Sequence, residues 1–257
     1  NSDVWWSFKN TSNVFDPVGT SNFISLSAGP APKGFYLLEA FNQLRTSVSG
    51  LPGIPDIVAT SLPRTGTWFQ GRVWYAGIDD PRFTENIYFS QTVENVKQFG
   101  LCHQTNDPTS EERFDLLPTD GGVIRIQGAG TIHKLVSVQN GLLVFSANGI
   151  WFISGSQGVG FAATDYTVIK ISDIKTISHT SFVMMEGSTI WWNEDGIWAI
   201  APGNNGGYSV TSLTNDTIAS FFASIPLHSK RFARGDYNPL TTTIQWCYRS
   251  TGDTAII

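Results

Sequence analysis

Charged residues are scarce in this chain. Asp, Glu, Lys and Arg make up 14% of its 257 residues, well below the roughly 25% of typical globular proteins. The net charge is −5, which excludes a nucleic-acid clamp of the strongly basic kind. So low a fraction of charged residues favours either a large core or a surface that is covered by partners.

Cysteines and long apolar runs are scarce as well. The two cysteines, Cys102 and Cys247, lie far apart in the sequence, so we expect two buried free thiols and no disulfide framework. No stretch approaches the roughly 18 apolar residues that a bilayer-spanning helix needs. The sequence therefore predicts no membrane-spanning segment.

Aromatic residues, by contrast, are abundant. They make up 13% of the chain and include nine tryptophans, and 41% of all residues are hydrophobic. A chain this apolar is not intrinsically disordered. Six of the tryptophans fall inside predicted strands, where core packing is the expected role; these are Trp74, Trp151, Trp191, Trp192, Trp198 and Trp246.

The strongest local signal lies at residues 141–155, GLLVFSANGIWFISG. Two apolar runs flank Asn148-Gly149, and Asn-Gly between such runs predicts a tight β-hairpin. Both runs are apolar at nearly every position, so both faces of the hairpin are expected to be buried.

The same pattern returns at residues 189–203, TIWWNEDGIWAIAPG. Gly196 stands 47 residues after Gly149, and the Ile-Trp pair that follows each glycine aligns Trp198 with Trp151. This spacing matches the roughly 40–50 residues of one four-stranded propeller blade. We therefore predict that Gly149 and Gly196 occupy equivalent turns and that Trp151 and Trp198, like Trp74, are core residues.

The rest of the chain is predicted to be mostly strand. Further strands are expected at 72–77, 86–90, 123–126, 132–138, 168–174, 181–185 and 243–248. One amphipathic helix is predicted from the helical spacing of Ile218, Phe221, Phe222 and Ile225, ended by Pro226. The predicted fold is all-β and propeller-like, with four-stranded blades and one short helix.

Two regions are predicted along the chain. Residues 1–55 form an N-terminal β segment that ends in a Pro- and Gly-rich connector, and residues 56–257 form an incomplete propeller-like domain. The chain begins with Asn and ends in a strand-like run, so a fragment of a longer protein is expected. The polar stretch 103–120 is predicted to be a long surface loop, and its Asn106, Asp107, Glu111 and Glu112 are candidate interface residues.

No motif predicts catalysis. The Gly-rich segment 155–160, GSQGVG, lacks the glycine spacing of a dinucleotide site. The four histidines are isolated and show no zinc-ligand spacing. Neighbouring acids, such as Asp79-Asp80 and Glu194-Asp195, are typical of solvated turns. We therefore predict no catalytic, metal-binding or cofactor-binding residues, and no enzyme.

Several segments resemble the nozzle proteins of short-tailed bacteriophages, also called tail tubular protein B or tail stabilisation proteins. The matching segments follow one another in order over roughly residues 30–200. They are APKG at 31–34, SGLPGIP at 49–55, GRVWYAG at 71–77, IYFSQ at 87–91, TDGGVI at 119–124, NGLLVF at 140–145, GIW at 149–151, TDY at 164–166 and WWNEDGI at 191–197.

This resemblance implies a structural virion protein at the distal end of the tail. It implies a β-propeller-containing subunit, six of which form a ring that conducts and gates DNA during ejection. It also implies an adaptor ring above, fibres, spikes or a needle beside or below, and transient contact with viral DNA in the lumen. The negative net charge suits such a conduit, because an acidic lumen does not grip phosphates.

A second hypothesis remains open. The chain could be a propeller that binds or cleaves surface glycan, as a tailspike or lectin does. That function needs a carboxylate pair or an aromatic platform in one exposed groove, whereas a nozzle needs large subunit interfaces and no such groove.

Overall fold

A computed structural model describes residues 7–8, 15–16, 63–105, 115–156, 160–185, 187–203 and 206–249. In the N-terminal region it describes two short strands, β1 (Ser7–Phe8) and β2 (Phe15–Asp16), which pair antiparallel. The predicted boundary near residue 55 lies outside the described residues.

Three four-stranded antiparallel sheets follow one another along the chain. Within each sheet, every strand pairs with the next strand in sequence. Sheet one contains β3 (Thr65–Phe69), β4 (Arg72–Ala76), β5 (Asn86–Phe89) and β6 (Gly122–Arg125). Sheet two contains β7 (Ile132–Val138), β8 (Gly141–Ser146), β9 (Gly149–Ser154) and β10 (Thr167–Ser172). Sheet three contains β11 (Val183–Met185), β12 (Ser188–Trp192), β13 (Ile197–Pro202) and β14 (Tyr208–Ser212).

Several shorter elements complete the described part of the chain. They are a 3-10 helix (Val96–Gly100), two helices, α1 (Ala219–Ser224) and α2 (Leu227–Arg231), and the antiparallel hairpin of β15 (Arg234–Asn238) and β16 (Thr243–Cys247). The all-β prediction is confirmed, and consecutive four-stranded sheets of this kind are the form of propeller blades.

Sheet two explains why the central hairpin is apolar at almost every position. Leu142 and Val144 of β8 belong to the core shared with sheet one, whereas Leu143 and Phe145 belong to the core shared with sheet three. Successive residues of a strand point to opposite faces. A sheet packed on both faces therefore needs apolar residues at odd and even positions alike, and all of β8 is buried.

The helix lies where the sequence predicts it, but only part of its predicted apolar face is buried. Phe222 and Ile225 are buried, and the Phe222 ring lies 4.9 Å from the ring of Trp192, centroid to centroid. Ile218 and Phe221 are exposed. The helix is only six residues long, so it turns one narrow stripe toward sheet three and leaves the rest of its predicted apolar face uncovered.

The first strands of the sheets run side by side. The Thr65 Oγ1 of β3 accepts a hydrogen bond from the Leu135 amide of β7 (3.1 Å), and the Thr67 Oγ1 donates to the Ser137 Oγ (3.4 Å). Both pairs are separated by 70 residues, so β3 and β7 run parallel and begin at the same end.

The chain before β11 meets β15 in a similar way. The Thr180 Oγ1 donates to the Ala233 carbonyl (2.8 Å), and the Thr180 carbonyl accepts from the Gly235 amide (3.3 Å). The residues that lead into β11 therefore lie beside the start of β15.

The cysteine prediction holds for only one residue. Both cysteines are free, but Cys102 is buried and Cys247 is exposed on β16. Side chains of β16 alternate between half-buried and exposed, and Cys247 falls on the exposed side.

Candidate functional site

The two glycine turns occupy the same place in neighbouring sheets. Gly149 follows the second strand of sheet two, and Gly196 follows the second strand of sheet three. In each turn two residues separate the glycine from its partner, which is Ser146 for Gly149 and Asn193 for Gly196. Gly149 and Gly196 are therefore structurally equivalent.

The backbone at these two glycines differs, however. Gly149 has a φ of 142°, a region that disfavours side chains. Asn148 and Gly196, both described, do not have positive φ. The Asn193 side chain accepts hydrogen bonds from the Asp195 and Gly196 amides, both at 2.7 Å, and so closes the second turn without a positive φ.

The three tryptophans singled out from the sequence lie between the sheets. Trp74 is 0% exposed and Trp151 is 7% exposed, and both belong to the core between sheets one and two. Trp198 is half-buried against the core between sheets two and three. Trp151 and Trp198 each face the preceding sheet, as expected for equivalent positions in successive sheets.

The four candidate interface residues, Asn106, Asp107, Glu111 and Glu112, lie outside the described residues. The two ends of their loop are described, and a buried carboxylate ties them together. Asp120 accepts hydrogen bonds from the Thr105 amide (3.0 Å), the Thr105 hydroxyl and the Leu117 amide (2.8 Å). This side chain fixes the distance between the two arms of the loop.

A buried arginine holds the same loop to sheet one. The Arg72 guanidinium of β4 donates to the carbonyls of Ser90 (2.7 Å), Asp120 (2.5 Å), Thr119 (3.2 Å) and Pro118. Burial lowers the pKa of Arg72 to about 10, and the Asp120 carboxylate opposes this shift. Arg72 and Asp120 therefore form one anchor for the loop base, and the sequence analysis singled out neither as a site residue.

A second group of polar residues lies where the first strands begin. Arg64 comes just before β3, His133 and Lys134 lie at the start of β7, His179 lies just ahead of β11, and Arg234 opens β15. We call these five residues the basic cluster. Apart from the adjacent His133 and Lys134, these residues lie far from one another in the sequence, so the placement of the first strands brings them together.

Backbone contacts fix two parts of the basic cluster. An added Cβ at Gly77 would lie 3.0 Å from the Ile132 carbonyl oxygen and 3.3 Å from the Arg64 Cβ, so Arg64 sits beside the residue that precedes His133. The Thr180 hydrogen bonds to Ala233 and Gly235 place His179 next to Arg234 in the same manner.

The charges of the basic cluster act on one another. The pKa of His133 is lowered from 6.5 to about 4, chiefly by burial and then by His179 and Arg64. The pKa of His179 is lowered by burial and then by Arg64, Lys134 and Arg234. Burial also lowers the pKa of Lys134. All five side chains thus belong to one electrostatic unit, in which both histidines are neutral at neutral pH.

Little negative charge offsets the basic cluster. Asp79 pairs with Arg64 at 2.6 Å, and both side chains are largely exposed. In the described part of the chain, neither Lys134 nor Arg234 has an ion-pair partner. A local positive patch on a chain of net charge −5 is chemically suited to bind anions.

The described residues offer neither a cluster of metal-ligating side chains nor a membrane-spanning helix. No group of three or more His, Cys, Asp and Glu side chains among them could hold a metal ion. Among those residues, too, no helix combines the length and apolar character needed to cross a bilayer.

The chain has no match among known protein families or curated proteins.

Proposed function

We propose that this chain is a structural subunit of the distal nozzle of a short phage tail, which conducts and gates DNA during ejection. The observation that carries the proposal is where the nozzle-like segments fall in the fold. They supply the middle strands of consecutive sheets: GRVWYAG lies on β4, IYFSQ on β5, NGLLVF on β8, GIW on β9 and WWNEDGI on the β12–β13 hairpin. The resemblance is thus spread over the repeated scaffold.

Two of the similar segments also meet in space. GRVWYAG contributes Arg72, and TDGGVI contributes Asp120, which are linked by the hydrogen bond from the guanidinium to the Asp120 carbonyl. The segments are far apart in sequence but form one anchor. This supports the view that they resemble the nozzle proteins as parts of one structure.

The proposed ring requires surfaces that neighbouring subunits cover. Around the two helices, the described chain exposes a group of large apolar side chains, with Phe221 56% and Phe232 62% exposed. The others are Leu213, Ile218 and Leu227. Large exposed apolar side chains are typical of protein contacts, and a repeated heterologous contact closes into a ring when its rotation permits.

We further propose that the polar stretch around residues 106–115 contacts a neighbouring subunit or another tail component. Its base is rigidly anchored by Arg72 and Asp120, and its sequence is polar and charged. Polar loops on a fixed base suit the wet rim of an interface.

Mass photometry of the intact protein, alone and with its adaptor, tests the proposal. We expect a closed oligomer, which the resemblance puts at six copies, and we expect Phe221→Ser with Phe232→Ser to weaken it. Leu240→Ser, which changes an exposed apolar side chain in the β15–β16 turn, is the matched control.

The glycan hypothesis is tested in parallel. Purified protein is incubated with host surface polysaccharide, and both release of oligosaccharides and retention on the polymer are measured. A stable monomer that binds or cleaves the glycan would reject the nozzle proposal in favour of the tailspike-like function.

A further inference from the structure

The basic cluster repeats with the sheets. Arg64, which directly precedes β3, matches Lys134 of β7, because the 70-residue offset that relates Thr65 to Leu135 also relates these two residues. His179 and Arg234 lie side by side where the next two first strands begin. Basic side chains therefore stand near the starts of β3 and β7, and again ahead of β11 and at the start of β15, and the effect of Arg64 and Lys134 on the pKa of His179 places the two pairs near one another.

This arrangement is electrostatically unfavourable for the chain alone. Like charges that lie close together repel, and burial adds a desolvation cost. Both effects act on His133 and His179. Residues that cost stability in this way are concentrated at functional sites.

We propose that the basic cluster is a binding site for a phosphate group that carries two negative charges. The site goes beyond the proposed nozzle function and does not depend on it. Its lysine and arginine side chains are Lys134, Arg64 and Arg234, and the charge of Arg64 is offset by Asp79. The remaining two positive charges balance the two negative charges of a phosphate dianion.

The side-chain chemistry also favours phosphate. A guanidinium offers a planar fork of donors that fits two phosphate oxygens, and an ammonium adds a point charge. The neutral imidazoles of His133 and His179 each add one ring N–H donor. A single carboxylate would need one guanidinium, and four further basic groups around it would have no role.

Aspartates near the cluster do not fill this role. Asp79 is held by Arg64 at its exposed edge. Asp236 lies two residues beyond Arg234 on β15 and accepts a hydrogen bond from the Tyr237 amide, and it is not among the groups that shift the pKa of His179. The centre of the cluster therefore stays positive in the described part of the chain.

Titration calorimetry with inorganic phosphate and with pyrophosphate, at an ionic strength held constant with NaCl, tests the site. We expect one saturable site per chain. Arg234→Gln and Lys134→Gln should each weaken binding by about tenfold or more, because each removes a charge-assisted hydrogen bond. Circular dichroism and thermal unfolding verify that both variants fold.

Matched controls lie on the outermost strands of the same sheets. Arg125→Gln on β6 and Lys170→Gln on β10 remove the same charges three strands away from β3 and β7. They should leave phosphate affinity within about twofold. Equal losses in controls and cluster variants would mean that only the overall charge matters, and would overturn the proposal.

A second readout follows the histidines by NMR. Phosphate should shift the ring signals of His133 and His179 and leave those of His103, which is buried at the opposite end of sheet one, unchanged. Absence of saturable binding, or saturation that leaves the His133 and His179 signals in place, would reject the site.

The source of the phosphate is distinguished by two oligonucleotides of one sequence, with and without a 5′-phosphate. A dianionic site predicts binding that depends on the terminal phosphate and competes with pyrophosphate. Equal binding of both oligonucleotides, without any binding of inorganic phosphate, would show that the cluster grips backbone diesters and would contradict the proposal.

Discussion

Replacement of Gly196 by alanine offers a sharp test of the repeated turn. The new Cβ would lie 2.1 Å from the Thr214 Oγ1, far inside contact distance, and Thr214 is 1% exposed. Its hydroxyl must therefore move, and the hydrogen bond that it accepts from the Ile197 amide at 3.3 Å is lost. Overpacking costs about 1–3 kcal/mol and an unpaired buried amide about 1–3 kcal/mol, so we expect the free energy of unfolding to fall by about 2–6 kcal/mol.

A double-mutant cycle with Thr214→Ala isolates the cause. In the Thr214→Ala background the obstructing oxygen is gone, so Gly196→Ala should cost less than about 1 kcal/mol there, and the two substitutions should couple by more than 1 kcal/mol. The free energies of unfolding come from urea titration of the four proteins. Additive costs, or a Gly196→Ala protein as stable as the parent, would refute this structural explanation of the turn.

Further predictions concern acid stability, the loop anchor and the core. The pKa of His133 is about 4 in the folded chain, below its ordinary 6.5, so the unfolded chain binds the proton first as the pH falls. The free energy of unfolding should therefore decrease by about 2–3 kcal/mol between pH 6.5 and pH 4. Urea titrations at several pH values should show a weaker pH dependence for His133→Gln. Arg72→Met should cost about 3–5 kcal/mol, because four carbonyls lose a buried charged donor; a loss below 1 kcal/mol would contradict the anchor. Trp151→Ala should lower the free energy of unfolding by about 3–5 kcal/mol, and Trp198→Ala should lower it less because that indole is only half-buried. Thermal unfolding of the two variants measures the difference.

Much of the scaffold could be predicted because burial on two faces leaves a strong pattern. The run from Leu142 to Phe145 is continuously apolar, and an Asn-Gly turn follows it. The two signals agree, and both reflect local requirements of a buried hairpin. The strands of residues 72–77 and 86–90 were predicted for the same reason.

Three strands were missed because their burial is incomplete. β14 reads YSVTS and β15 reads RGDYN, and their side chains alternate between half-buried and exposed positions. β3 contains Gly66 and the exposed Trp68. Partners across the sheet, and not their own apolar residues, place these strands.

The basic cluster could not be predicted for a related reason. The common feature of its members is that each lies within four residues of the start of a first strand. That feature is visible only once the strand boundaries are known. Part of the cluster does carry a signal, because Arg64-Thr65 and Arg234-Gly235 each pair a basic residue with a small one at the start of a strand.

Electron microscopy of the purified intact protein, alone and on its adaptor, tests the nozzle proposal most directly. Two-dimensional class averages should show closed rings, six-fold by the resemblance, with a propeller-like density in each subunit and an open central lumen. Class averages that show only isolated propellers, from a preparation that also degrades host glycan, would contradict it.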